Sequence, residues 1–119
     1  DATSLRYIIN QKEVENVLKK EKYLSVTLSD YSFSDQIALF NNAKKIIGLH
    51  GAGFANLIFC KTNTKIVELR SKTAGDAVKN LAIKNDLIYD DISCEPKTIN
   101  FNNQAGDIVI DLEILKSKI

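Results

Sequence analysis

Histidine occurs once in this chain of 119 residues, at position 50. That scarcity removes a histidine-rich metal site and any proton relay built from two imidazoles. Cysteine is nearly as sparse. Cys60 and Cys94 make neither a disulfide framework nor a metal cluster, and their apolar flanks predict small buried thiols. No sign of charge dominates, since 16 Lys and Arg stand against 15 Asp and Glu, dispersed along the chain. A nucleic-acid groove and a strongly acidic partner are therefore both disfavoured. The most apolar stretch, residues 46–60, is broken by His50, glycines and Asn56, so it predicts no membrane span. The opening Asp-Ala-Thr-Ser-Leu-Arg lacks the charged start and apolar centre of a signal peptide. The abrupt start and end predict a piece of a longer protein, whose targeting or anchoring signals this stretch does not reveal.

Apolar residues make up 45% of the chain and no segment is of low complexity, which predicts one globular domain, 1–119, with a real core. Asn10 with Glu13 resembles a capping box ahead of Val14, Val17 and Leu18, giving a helix over 11–21. A strand is expected over 23–28. Ser32 and Asp35 repeat the capping pattern before Phe33, Ile37, Phe40 and Ala43, for a helix ending near Asn42, and a buried strand follows over 45–49. After the glycines comes a short helix over 54–59, a turn at 62–64 and a strand over 65–70. A helix then starts at Gly75 or Asp76 with Ala77, Val78, Leu81 and Ala82 on one face, followed by a strand over 87–92. The stretch from Pro96 to Gly106 reads as loop, 108–110 as a short extended segment, and Asp111 as the cap of a closing helix. Helices alternating with near-continuous apolar strands predict an α/β fold: a Rossmann-like three-layer sandwich with a mainly parallel sheet.

Such sheets bind ligands beyond the carboxyl ends of their strands. Three ends carry suggestive chemistry: His50-Gly51-Ala52-Gly53 after Leu49, Arg70 and Ser71 after Leu69, and Ser29 and Asp30 after Thr27. Arg6 joins them if the segment before the first helix emerges at the same rim. At the first end a glycine-rich turn leads into a helix, whose leading N–H groups and positive dipole end suit a nucleotide diphosphate. His50, beside those glycines, suits a hydrogen bond to a phosphate oxygen; the competing reading is a structural hydrogen bond. Glu68 interrupts an apolar strand, and a buried carboxylate costs several kcal/mol, by order of magnitude, unless it is partnered. A ribose hydroxyl pair is one partner; Arg6, Arg70 or a lysine is the other. Asn56 either holds the turn's backbone or meets the ligand, and Gln36 either supports the same loop or lies on a solvated helix face. The His-Gly-Ala-Gly string also resembles an esterase oxyanion loop, but no Gly-x-Ser-x-Gly nucleophile turn exists and one His cannot fill both roles. Asp90 and Asp91, adjacent on a strand, point to opposite faces and read as solvated or loop-capping residues, not a metal pair.

Three blocks read together carry a family resemblance. They are Arg6-x-Ile8-x-Asn10-x-x-Glu13, then Leu28-Ser29-x-x-Ser32-Phe33-x-x-Gln36-Ile37-x-Leu39-Phe40-x-x-Ala43, then Ile47-Gly48-x-His50-Gly51-Ala52-Gly53-Phe54-x-Asn56-Leu57-x-Phe59 with Val67-Glu68-Leu69. Over about residues 6–70 the chain resembles the carboxyl-terminal lobe of a family 61 glycosyltransferase. The resemblance departs at Phe54, where the family commonly has Leu, and at the 61–64 turn, which lacks the usual prolines. It implies a nucleotide-sugar-binding lobe of a larger two-lobed, GT-B-type enzyme, whose missing amino-terminal lobe supplies much of the acceptor site. It also implies inverting transfer from a nucleotide sugar to a saccharide or other acceptor hydroxyl, in bacterial surface polysaccharide synthesis. By carry-over, His50, Gly51, Ala52, Gly53 and Asn56 form the diphosphate turn, Arg6 neutralises phosphate charge, and Glu68 lies near the nucleoside. No metal or other cofactor is expected, because oriented N–H groups with His50 and Arg6 can take up the leaving-group charge. The catalytic base is expected in the missing lobe, with His50 the weaker candidate. The expected setting is the bacterial cytoplasm, with any membrane association supplied by the parent protein. The alternative from another class is a non-catalytic α/β binding or interaction module.

Overall fold

The computed structural model describes residues 8–96 and 107–119. Arg6 and most of the expected 96–106 loop lie outside the described residues. The architecture is α/β, with helices and a three-stranded parallel sheet in a Rossmann-like arrangement, as the alternation of the sequence predicts. The strands β1 (Lys45–Leu49), β2 (Lys65–Ser71) and β3 (Ile88–Cys94) are hydrogen-bonded in the order β1-β2-β3. The described residues form two compact units, one of residues 26–68 and 75–91, the other of residues 8–25, 69–74, 92–96 and 107–119.

The first unit holds the glycine turn. Its helix α1, Phe33–Asn42, starts where expected because the Ser32 hydroxyl accepts the Asp35 N–H at 3.2 Å, satisfying a donor the helix cannot pair itself. The segment after the glycines is a 3₁₀ helix, Ala52–Phe59, a tighter winding than the expected helix. Helix α2, Ala77–Lys84, turns Val78 and Ala82 inward. Both α-helices pack on the 3₁₀ helix, and the core between them is Phe40, Phe54, Leu57, Ile66, Val78, Ala82 and Leu87. Leu57 and Ile66 are fully buried, each contributing about 1.5–3 kcal/mol of transfer free energy.

The second unit is built around its terminal segments. Helix α3, Gln11–Lys20, covers the expected span, but Asn10 is not its side-chain cap. The Asn10 amide instead donates to the Ile110 carbonyl at 2.8 Å and accepts the Ile110 N–H at 2.9 Å, across 100 positions of sequence. Beside this clasp Ile8 and Ile108 form a parallel bridge, with the Ile9 N–H on the Ile108 carbonyl at 2.7 Å. Helix α4, Leu112–Lys118, is capped as expected: Asp111 accepts the N–H groups of Glu113 and Ile114 at 2.9 and 3.2 Å. It packs against α3, and Val14, Ile108, Ile110 and Leu115 are buried in this unit.

The strand expected over 23–28 is absent. That stretch is irregular, ends in a 3₁₀ turn at Leu28–Asp30, and leaves Leu24 77% exposed. β-branched and aromatic residues favour a strand only where a neighbour completes the ladder, and among the described residues this segment pairs with none. The two cysteines are free and only partly buried, not interior as expected. Burial nonetheless pushes the Cys60 thiol up to about 11, and it raises Cys94, with Lys72 opposing and Asp111 adding to the shift. Among the described residues no helix is long and apolar enough to cross a membrane.

Candidate functional site

Strand β1 ends at Leu49, and the next residue, His50, is 7% exposed. The chain then turns at Gly51 into the 3₁₀ helix, whose first internal bond runs from the Phe54 N–H to the Gly51 carbonyl at 3.2 Å. The N–H groups of Ala52 and Gly53 therefore precede the helical ladder. Two glycines here sit where the packing is close. A Cβ on Gly48 would lie 3.1 Å from Cζ of Phe54, and one on Gly53 would lie 2.9 Å from Cδ1 of Leu28. The first lets the Phe54 ring lie against β1; the second lets the turn settle on the 28–31 loop.

Glu68, in the middle of β2, is fully buried. Among the described residues its hydrogen-bond partners are a histidine and a tyrosine. His50 Nδ1 is bonded to Oε2, and the Tyr89 hydroxyl of β3 donates to Oε1. Both carboxylate oxygens are thus engaged, one by the residue that follows β1 and one by β3, which offsets the cost of burying the group. Tyr89 is the site residue that sequence reading missed. Its signal lay in the inference that a buried Glu68 must have donors, with a tyrosine on the next strand within reach.

Gln36 of α1 supports the loop, one of its two expected roles. Its Nε2 donates to the carbonyls of Leu28, at 2.8 Å, and Tyr31, at 3.2 Å. Its Oε1 accepts Asn56 Nδ2 at 3.0 Å. Asn56 therefore braces the turn through a side chain, not through the turn's backbone. At the far end Asn41 Nδ2 reaches the Phe59 carbonyl at 3.1 Å, and the Phe33 and Phe59 rings meet edge to face at 5.9 Å. The 3₁₀ helix is thus held by α1 at its middle and at its carboxyl end.

The other expected rim residues are arranged differently. In the second unit the buried Arg70 donates to the Ala74 carbonyl, and the Ser71 hydroxyl bonds Thr73 Oγ1 at 2.7 Å while accepting the Thr73 N–H at 3.1 Å. Both side chains are turned onto the 71–74 bend. Ser29 and Asp30 are exposed on their 3₁₀ turn. Asp90 accepts the N–H of Asp91 at 2.8 Å, a local bond within β3. Among the described residues no three His, Cys, Asp or Glu side chains gather as a metal ligand set. Structure thus brings together His50, Glu68 and Tyr89, and separately Asn56 and Gln36.

The helices and three-stranded parallel sheet place the chain in the class of Rossmann-like α/β folds. The model of the glycosyltransferase 61 family matches residues 1–67, and the chain belongs to that family. It is similar to the EGF domain-specific O-linked N-acetylglucosamine transferase of Gallus gallus, 37% identical over 73 residues, covering 57% of this chain and 14% of that protein. The Bos taurus protein of the same name is 36% identical over 73 residues with the same coverage. The Protein O-linked-mannose beta-1,4-N-acetylglucosaminyltransferase 2 of Xenopus laevis is 36% identical over 67 residues, covering 54% of this chain and 12% of that protein. The chain thus spans only about one-seventh of the length of these relatives. All three are vertebrate proteins, and two are named for EGF domains and one for protein-linked mannose. The expected bacterial cytoplasmic setting is corrected by these matches, which point to a eukaryotic context.

Proposed function

We propose that this chain is the donor-binding part of a glycosyltransferase that moves a sugar, inverting its anomeric configuration, from a nucleotide sugar to an acceptor hydroxyl. The observation that carries the reading is His50, the first residue beyond β1, held by Glu68 at the head of the glycine turn. Family membership over the same residues supports it. As the bond from sugar to diphosphate breaks, negative charge grows on the phosphates. The N–H groups at the start of the 3₁₀ helix and the His50 ring are suited to receive that charge, in a site whose polar groups are already oriented. Arg6 adds a cation if it emerges at the same rim. In this reading Gly51, Ala52 and Gly53 supply backbone, Asn56 and Gln36 hold the turn's shape, and Glu68 acts on the ligand through His50. No divalent ion is needed for the charge. The base that activates the acceptor and most of the acceptor site belong to a second lobe of a two-lobed enzyme.

The relatives' names favour N-acetylglucosamine as the transferred sugar and a protein-linked acceptor over a surface polysaccharide. Titration with UDP, GDP and CMP, followed by amide NMR, tests the donor reading. One of them shifts Gly51, Gly53 and Asn56 together, in EDTA as well as without it. His50→Ala weakens that binding by about 10- to 100-fold with the amide spectrum otherwise preserved, the range for a hydrogen bond to a charged group. Absence of any response at millimolar nucleotide would leave the non-catalytic binding module as the better description.

A further inference from the structure

We infer that Glu68 and Tyr89 are positioning residues for His50, fixing which ring nitrogen the glycine turn presents to a phosphate-bearing ligand. The inference rests on the donor-site reading above and extends it to two strands that carry no ligand-contact role in that reading.

The argument begins with register. The Lys65 N–H bonds the Lys44 carbonyl at 3.0 Å, so counting forward along parallel strands sets Glu68 level with Gly48, two residues short of His50. The Ile88 N–H bonds the Thr64 carbonyl at 3.0 Å, which sets Tyr89 further back along its own strand. His50 therefore reaches back to the carboxylate, and the long tyrosine side chain reaches forward to it. The side chains come from β2, from β3 and from the residue that follows β1, with the fully buried carboxylate on the middle strand. An ionised carboxylate only accepts hydrogen bonds, so an imidazole bonded to it through Nδ1 carries its hydrogen there. The ring's rotation and tautomer are then set together, and Nε2 becomes the nitrogen on the side away from Glu68. Tyr89 restrains the carboxylate from its second oxygen, so the carboxylate cannot turn without breaking one of two bonds.

Packing alone gives no reason for this choice of residues. A buried ionic cluster replaced by apolar side chains of similar volume is often neutral or stabilising. A Leu or Phe at 68 would serve a sheet interior as well, but would take from the imidazole its bond through Nδ1.

The chain's single histidine makes the test direct, because its imidazole gives one pair of ¹⁵N resonances. Tyr89→Phe is the lead variant, since it removes one hydroxyl and keeps the ring; Glu68→Gln is the second. In the wild type the Nδ1 resonance is that of a protonated nitrogen. Tyr89→Phe shifts the pair and weakens binding of the responding nucleotide by about 3- to 10-fold, the size of one net hydrogen bond. Glu68→Gln shifts it further. In a His50→Ala background, Tyr89→Phe has no added effect on binding, as expected of a residue that acts through the ring. If the wild type binds nucleotide while Tyr89→Phe leaves affinity and ¹⁵N shifts unchanged, or still weakens binding without His50, the positioning role is overturned and the donor-site reading stands. If the wild type binds none of UDP, GDP and CMP, the donor-site reading falls and takes this inference with it.

Discussion

In each of the two units a buried or half-buried polar side chain joins distant parts of the sequence, and the two solve the same problem with different chemistry. In the second unit Asn10 matches its amide to both peptide groups of Ile110, so a neutral side chain imitates a strand. In the first unit Glu68 is matched by an imidazole and a phenol. The amide clasp has partners that neither titrate nor turn, and it can do little except hold. The carboxylate has partners that are themselves hydrogen-bonding tools, one of them at the mouth of a glycine turn. In the positioning proposal that difference separates a fastening from a device, although both look alike as polar contacts.

The comparison can be broken in several ways, taken from the largest effect to the smallest. Leu57→Ala, at a fully buried position of the first unit, lowers unfolding free energy by about 2–5 kcal/mol in urea titration. A much smaller loss would mean that the turn's scaffold is not set by its apolar core. Asn10→Ala leaves the buried N–H and carbonyl of Ile110 without their partner and costs about 1–3 kcal/mol. It leaves nucleotide affinity per folded molecule unchanged; a matching loss of affinity would erase the distinction between the two contacts. The smallest effect is in pH. Burial raises the Cys60 thiol from 9.0 to about 11, so the folded state keeps a proton that the unfolded chain gives up. That stabilisation is complete below pH 9 and is lost as pH rises toward 11. Cys60→Ser removes this part of the alkaline decline, measured as the difference between the two proteins' stability profiles.

How much could be read in advance depended on whether a signal was local. Ser32 and Asp111 cap helices within three residues of themselves, and both are legible in sequence. The same reasoning at Asn10 failed because a partner 100 residues away competes for the amide, and capping rules contain no such distant term. The 23–28 stretch has strand-forming residues but no ladder, which no window of sequence can display. At the candidate site, His50 and the glycines stood out through their position after an apolar run; the strand there was expected to be buried, but Lys45 is exposed and the other four residues of β1 are only half-buried. That Glu68 needed a partner followed from burial alone. Which partner it took did not, because strand order decides whether His50, Arg70 or Tyr89 lies within reach.

Gly48 gives the turn one more property. With a Cβ there only 3.1 Å from the Phe54 ring, even alanine would press on the aromatic wedge that begins the 3₁₀ helix. The ring has β1 beneath it and Leu57 and Phe40 in the same core, so the pressure would pass into the four residues between strand and wedge. A single hydrogen atom in the strand thus acts as a spacer, leaving room for the Phe54 ring to close on β1.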